Sequence, residues 1–198
     1  MKSYEILLAS GSPRRAYLLK ELGVPFKVVE TAHLEEKFPS RLKEGEIATY
    51  LAELKSDAFK HPLNENQILL TADTIVWHQG KELGKPANRS EAISMIKSLS
   101  GCTHQVYTGV CLRSRFERKS FHAVTDVTFS VIEDHEIATY VAKYDPFDKA
   151  GAYGIQEWIG YIAVEKIVGS FFNVMGLPVQ KVYNELKSFR RMQQNNSN

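Results

Sequence analysis

Hydrophobic positions along the chain change period several times, and each change predicts an element. The continuous apolar run ILLA at 6–9 gives way through Ser10-Gly11 to Leu18, Leu19 and Leu22, spaced by three and four and closed by Gly23. A short buried strand feeding an amphipathic helix of about three turns produces this pattern. Ser12 suits the N-cap, Pro13 the first helical position and Gly23 the left-handed residue after the last turn. PFKVVETA then predicts a second strand, and HLEEKFPSRLKEG a charged loop. From Glu46 to about His61, Ile47, Leu51, Leu54 and Ala58 form a helical stripe that also contains Lys55.

In the middle of the chain, Ile68–Leu70 and Ile75–Trp77 flank Thr71-Ala72-Asp73-Thr74, predicting one central strand or two abutting ones. HQGKELGKP predicts a hairpin that returns Lys85, just before Pro86, towards the strand end. Asn88-Arg89-Ser90 caps a helix whose inward positions are Ala92, Ile93, Ile96 and Leu99, with Gly101 beyond it. QVYTGVCLR and SFHAVTDVTFSVI predict two strands paired through the polar turn at 114–119, and Glu133 to Lys143 a further helix. DPFDKAGAYGIQ, with Pro146, Gly151 and Gly154, predicts an irregular loop lining a cleft. Strands are predicted for Trp158 to Val168 and Phe171 to Val174, and a closing helix for Leu177 to Phe189 with Pro178 in its first turn. The polar end RRMQQNNSN predicts a disordered, solubilising tail over 190–198. No internal repeat or long linker divides residues 1–189, so one domain is expected there.

Composition narrows the class. With 198 residues, 43% of them apolar, the chain is large enough for one substantial core or two lobes. A net charge of +2, with basic residues spread along the chain, is too small to indicate a dedicated nucleic-acid binder, and no nucleic-acid partner is expected. The N-terminus has only four apolar residues in a row and no stretch matches a membrane span, so no membrane association and a cytoplasmic location are expected. Cys102 and Cys111 form no CxxC, and the histidines at 33, 61, 78, 104, 122 and 135 show neither HxH nor HExxH spacing. A disulfide framework or a histidine-held metal is therefore disfavoured.

Two features call for chemistry. Arg14 and Arg15 stand at a helix start, where the dipole repels cations by several tenths of a kcal/mol unless an anion shares the site. Free backbone N–H groups, a Ser-Gly turn and two guanidinium forks suit a phosphate, although neither GxGxxG nor GK[ST] occurs. Asp73 is an acid inside an apolar, β-branched run, and burying a carboxylate alone is costly. It needs a cation, a metal or a role.

Taken in order, SxSPRR, Glu35-Glu36, the helical Lys55, ADT, GKP and DKAGAYGIQ resemble the Maf family of nucleoside triphosphate pyrophosphatases over nearly the whole chain. The resemblance implies an α/β fold, a mixed twisted sheet flanked by helices with two lobes around a deep cleft, similar to inosine triphosphate pyrophosphatase-like folds. It implies cleavage of a nucleoside triphosphate between the α- and β-phosphates with a divalent cation, Mg²⁺ or Mn²⁺. On this resemblance Asp73 is the base that prepares water and Glu36 assists at the metal. Ser10, Arg14, Arg15, Lys55 and Lys85 hold phosphates, and a homodimer is admitted. Arg14, Thr74 and Gln156 match the branch acting on dTTP and UTP; the branch associated with methylated guanosine triphosphate carries an aromatic, a glutamine and a glutamate there. Glu157-Trp158-Ile159-Gly160 departs from the smaller, glycine-rich turn of many relatives.

Four cations and two carboxylates meet the need of phosphoryl chemistry for positioning and charge neutralisation. Whether Asp73 acts as base or as metal ligand stays open at this level. Two other classes are carried alongside: a non-catalytic nucleotide-binding regulator of cell division, and a nucleic-acid binder using Arg14, Arg15 and the basic tail.

Overall fold

The computed structural model describes residues 4–30 and 34–195, with side chains as far as residue 189. Seven strands form one mixed sheet in the order β2-β1-β3-β5-β6-β7, with β4 paired to β3. The strands are β1 (Glu5–Ala9), β2 (Phe26–Val29), β3 (Gln67–His78), β4 (Lys81–Leu83), β5 (Thr103–Arg113), β6 (Arg118–Phe129) and β7 (Val164–Val168). The helices are α1 (Pro13–Glu21), α2 (Gly45–Ala58), α3 (Arg89–Leu99), α4 (Asp134–Tyr144), α5 (Trp158–Ala163), α6 (Phe171–Val174) and α7 (Val179–Asn195). None of the helices among the described residues is long and apolar enough to cross a membrane.

The chain divides into two units, and the boundary falls inside β3, between Asp73 and Thr74. Unit 1 holds residues 1–73, 108–123 and 176–198. Here β1 pairs in parallel with β2 and with β3, with Ile6 opposite Phe26 on one side and Ile68 on the other. A parallel strand paired on both edges is covered on both faces, which explains why ILLA is apolar without alternation. Leu18 and Leu19 of α1 and Ile47, Leu51 and Ala52 of α2 are buried in this unit. Gly23 takes the expected left-handed φ of 69° after α1. Ser12 occupies the N-cap but makes no side-chain cap bond; its N–H donates to Ser10 Oγ at 3.2 Å instead.

Unit 2 holds residues 74–107 and 124–175. Its core joins Val76 and Leu83, Ala92, Ile96 and Leu99 of α3, Val127 and Phe129 of β6, Ile137, Tyr140 and Val141 of α4, and Tyr153, Ile155 and Ile159. The β3–β4 hairpin turns through Gln79 and Gly80, both at positive φ, as a two-residue turn between right-twisted strands requires. Asn88 caps α3 as predicted, its Oδ1 accepting from Glu91 N at 3.0 Å.

Of the two alternatives expected for the middle of the chain, the single strand is the one formed: 67–78 is one strand of twelve residues. Several other expectations are corrected. The predicted strand 158–168 divides into α5 and then β7. Ile159 and Ala163, four apart, are buried while Tyr161 is 83% exposed, so a helical period prevails over the β propensity of the residues. The predicted strand 171–174 is the short helix α6. Gly169 at φ 131° ends β7, and the Ser170 hydroxyl accepts from Asn173 N at 3.4 Å, starting a turn that fully buried Asn173 anchors by donating to Val106 O and Thr125 Oγ1. Pro178 lies before the first turn of α7, which runs past the predicted end at Phe189 to Asn195; residues 196–198 of the predicted tail lie outside the described residues.

Candidate active site

Six of the predicted site residues fall in unit 1, where Glu36, Lys55 and Arg15 gather around Asp73, Ser10 bonds to Arg15, and Arg14 is the neighbour of Arg15 on α1. Thr71, two residues earlier on the same face of β3, donates its hydroxyl to Ala52 O of α2 at 2.7 Å, which docks that helix along the strand. One helical turn on from Ala52 comes Lys55, and one pleat on from Thr71 comes Asp73, so the two side chains are brought side by side. Lys55 Nζ donates to Asp73 Oδ1 and forms an ion pair with Glu36 Oε1 at 2.8 Å. One ammonium thus holds two carboxylates that the chain keeps far apart. The place of Lys55 in the apolar stripe of α2 follows from this: its stem lies among buried residues while its head serves the acids.

Ser10 and Arg15 complete the cluster. Buried Ser10 follows β1, and its Oγ accepts from Ser12 N and from Arg15 Nη1, the latter at 3.3 Å. Arg15 Nε donates to Gly176 O at 2.8 Å. The guanidinium is fixed by two bonds at its own end of the helix, and it is attracted by Asp73 and Glu36 and repelled by Arg14. No acid occupies the first turn of α1, so the helix dipole there is balanced from outside the helix.

Burial raises the Asp73 carboxyl above its ordinary 3.8; Lys55 and Arg15 oppose this, and the like charge of Glu36 adds to it. A carboxylate with increased proton affinity is a stronger base at neutral pH. Burial also lowers the affinity of the Arg15 guanidinium for its proton, without bringing an arginine near deprotonation.

No cluster of three or more His, Cys, Asp or Glu able to hold a metal occurs among the described residues. The donor set nonetheless fits a hard divalent cation of the Mg²⁺ class, which takes one or two carboxylates and completes its shell with water and substrate phosphates. Glu36 and Asp73 each point one oxygen at a single positive centre, Lys55 Nζ, and they repel one another.

The other three predicted residues belong to unit 2. Thr74 follows Asp73 in β3 and Lys85 is exposed two residues beyond β4. Gln156 lies in the loop 145–157, which packs on this part of the unit: Gly151 N donates to Gly84 O at 3.0 Å, and a Cβ on Gly151 would meet Val76 at 2.9 Å. Buried Lys149 and the loop acid Glu157, to which the sequence assigned no role, form an ion pair at 3.3 Å. The available signal was charge enclosing an otherwise small and apolar run, DKAGAYGIQE.

The profile of the Maf-like protein family matches residues 5–189. The chain belongs to that family. Among its relatives, the dTTP/UTP pyrophosphatase of Bacteroides fragilis is 53% identical over 184 residues, 93% of this chain and 95% of that protein. The dTTP/UTP pyrophosphatase of Flavobacterium johnsoniae is 52% identical, covering 94% and 95% of the two chains, and that of Porphyromonas gingivalis 48%, covering 96% of each. A solved structure of a HAM1 protein from Coxiella burnetii aligns at a TM-score of 0.43 and 16% identity over 64% of this chain and 73% of its own, too loose a likeness to bear on the chemistry of this Maf-family chain.

Proposed function

We propose that the chain is a nucleoside triphosphate pyrophosphatase that hydrolyses dTTP and UTP to the monophosphate and pyrophosphate. Relatives about half identical over nearly the full chain carry that name. The observation that carries the reading is the convergence of Asp73, Glu36, Lys55 and Arg15 from four separate parts of the sequence. Two carboxylates drawn from distant parts of the chain to one ammonium, beside a buried guanidinium, suit a site that handles a polyanion together with a divalent cation.

In this reading Asp73 takes a proton from water as the water oxygen bonds to the α-phosphorus. The bond from the α-phosphorus to the bridging oxygen breaks, and pyrophosphate leaves with that oxygen. Ser10, Arg14, Arg15, Lys55 and Lys85 bind phosphate oxygens and spread the charge of the triphosphate, which is about four negative units. Glu36 and Asp73 would hold a divalent cation, Mg²⁺ or Mn²⁺, which supplies charge neutralisation and lowers the pKa of bound water. Arg14, Thr74 and Gln156 set base preference, since a site built to hydrogen-bond one base edge rejects an edge that leaves its groups unpaired.

The test is a panel of nucleoside triphosphates with Mg²⁺ or Mn²⁺, assayed for pyrophosphate and nucleoside monophosphate. UTP and dTTP are expected to give the two products in equal amounts and faster than purine triphosphates. Nucleotide binding with no release of pyrophosphate would replace this reading with that of a non-catalytic regulator.

A further inference from the structure

Gln156 carries an unusual combination of features. Its side-chain oxygen is buried and has no hydrogen-bond partner, a state that costs about 1–3 kcal/mol and persists only where neighbouring groups hold it. The loop around it is itself strained: consecutive Gly151 and Ala152 both lie in the left-handed region, at φ 69° and 60°, and Ala152 has a Cβ to accommodate.

Two anchors hold this loop. Tyr153 hydrogen-bonds through its hydroxyl to His104 Nε2 at 2.7 Å, with both residues buried. Fully buried Tyr140 of α4 accepts from Gly154 N at 3.0 Å and donates its own proton to Glu157 Oε2. The other oxygen of Glu157 pairs with Lys149, which also reaches Asp148 at 2.7 Å. The Glu157 carboxylate is therefore fixed at both oxygens.

Its position bears directly on Gln156. A Cβ built on Gly154 would lie 2.9 Å from Gln156 Nε2, 2.9 Å from Glu157 Oε2 and 2.7 Å from Glu157 Cδ. Because residue 154 has no side chain, the amide nitrogen of Gln156 and the carboxylate of Glu157 border the same small space. A carboxylate accepts hydrogen bonds and cannot donate them, so it attracts the NH₂ end of a neighbouring amide and repels the carbonyl end. A primary amide free to turn by 180° presents either donor–acceptor order and reads a uracil-type edge (N3–H donor beside a carbonyl) as readily as a cytosine-type edge (N3 acceptor beside an amino group). An amide held in one orientation reads only one of them.

We propose that Glu157, held by Tyr140 and Lys149, is a positioning residue that sets the polarity of the Gln156 amide and thereby its preference for the keto-imide edge of uracil and thymine over the amino edge of cytosine. This rests on the pyrophosphatase reading above and names a determinant of its base selectivity outside the predicted set of Arg14, Thr74 and Gln156.

The test compares kcat and KM for UTP and CTP in the wild type, Glu157→Gln, Tyr140→Phe, Gln156→Ala, and Glu157→Gln combined with Gln156→Ala. Glu157→Gln keeps an acceptor for Tyr140 but removes the charge; the ratio of kcat/KM for UTP to that for CTP should fall roughly tenfold, mainly through KM. Tyr140→Phe leaves the charge but loosens it, and should move the ratio the same way by a smaller factor. In the Gln156→Ala background the Glu157→Gln change should leave the ratio where Gln156→Ala alone puts it, which a general loosening of the fold would not do. A wild-type ratio in Glu157→Gln, or in Tyr140→Phe should Glu157→Gln fail to fold, overturns the proposal; so does an equal shift of the ratio with and without Gln156. Absence of UTP hydrolysis by the wild type would instead overturn the functional reading on which it stands.

Discussion

Each unit contains a largely buried lysine that bridges two carboxylates, and the two sites are assembled in opposite ways. In unit 1, Lys55 joins Asp73 and Glu36, with its ammonium held in place by a helix, one acid on a strand and the other in a loop. In unit 2, Lys149 joins Asp148 and Glu157, its immediate neighbour and an acid of the same loop. The acids also differ in what else serves them. Glu157 receives a tyrosine hydroxyl besides its lysine, whereas burial raises the Asp73 carboxyl above its ordinary value in spite of two nearby cations. A triad drawn from one loop mainly fixes that loop. One drawn from three distant elements does not serve to fix a single loop, and under the proposed function it holds charge for a triphosphate and its cation.

The two lysines offer the sharpest way to break this comparison. Lys55→Met should cost roughly 10²-fold in kcat/KM for UTP, and it should destabilise the protein by about 3 kcal/mol, because two carboxylates are left with one fewer cation. Added Mn²⁺ should restore part of that stability, which melting curves with and without the metal would show. Lys149→Met should lower kcat less than tenfold and act chiefly on the UTP to CTP ratio. If the two variants produced the same kinetic pattern, the division into a charge-holding site and a loop clamp would be wrong.

A smaller effect tests the second anchor of the loop. Burial lowers the His104 pKa from 6.5 to about 3, so the ring is neutral in the folded protein across the ordinary pH range. Above pH 6.5 neither the folded nor the unfolded chain binds this proton. Between 6.5 and 3 the unfolded chain binds it and the folded chain does not, so stability falls as pH falls. From pH 6.5 to 5 the loss amounts to about 2 kcal/mol. Denaturation of His104→Gln over that interval should show a correspondingly shallower pH dependence, while an unchanged slope would remove His104 from the account.

How far the sequence reveals these sites follows from the range of the interactions that build them. The β1–α1 unit was legible because its signals are local: a continuous apolar run, Pro13 at the first turn and Gly23 after the last. Asp73 and Lys55 stood out because each breaks an apolar pattern, and a charged side chain in a buried stripe requires a partner. Residues 158–174 were misread because their β-branched and aromatic residues favour strands, while the burial of Ile159 and Ala163 and the cap at Ser170 make helices of two segments. The bond between Tyr140 and Glu157 was invisible for another reason. A tyrosine at a buried helical position looks like any core aromatic until the fold places a carboxylate at its hydroxyl.

The central claim is that Asp73 carries the chemistry while the surrounding cations bind the phosphates. Asp73→Asn preserves size and removes the base; UTP turnover should fall by roughly 10³-fold, with nucleotide affinity measured by calorimetry within a few-fold of the wild type. Turnover at the wild-type rate in that variant would contradict the account.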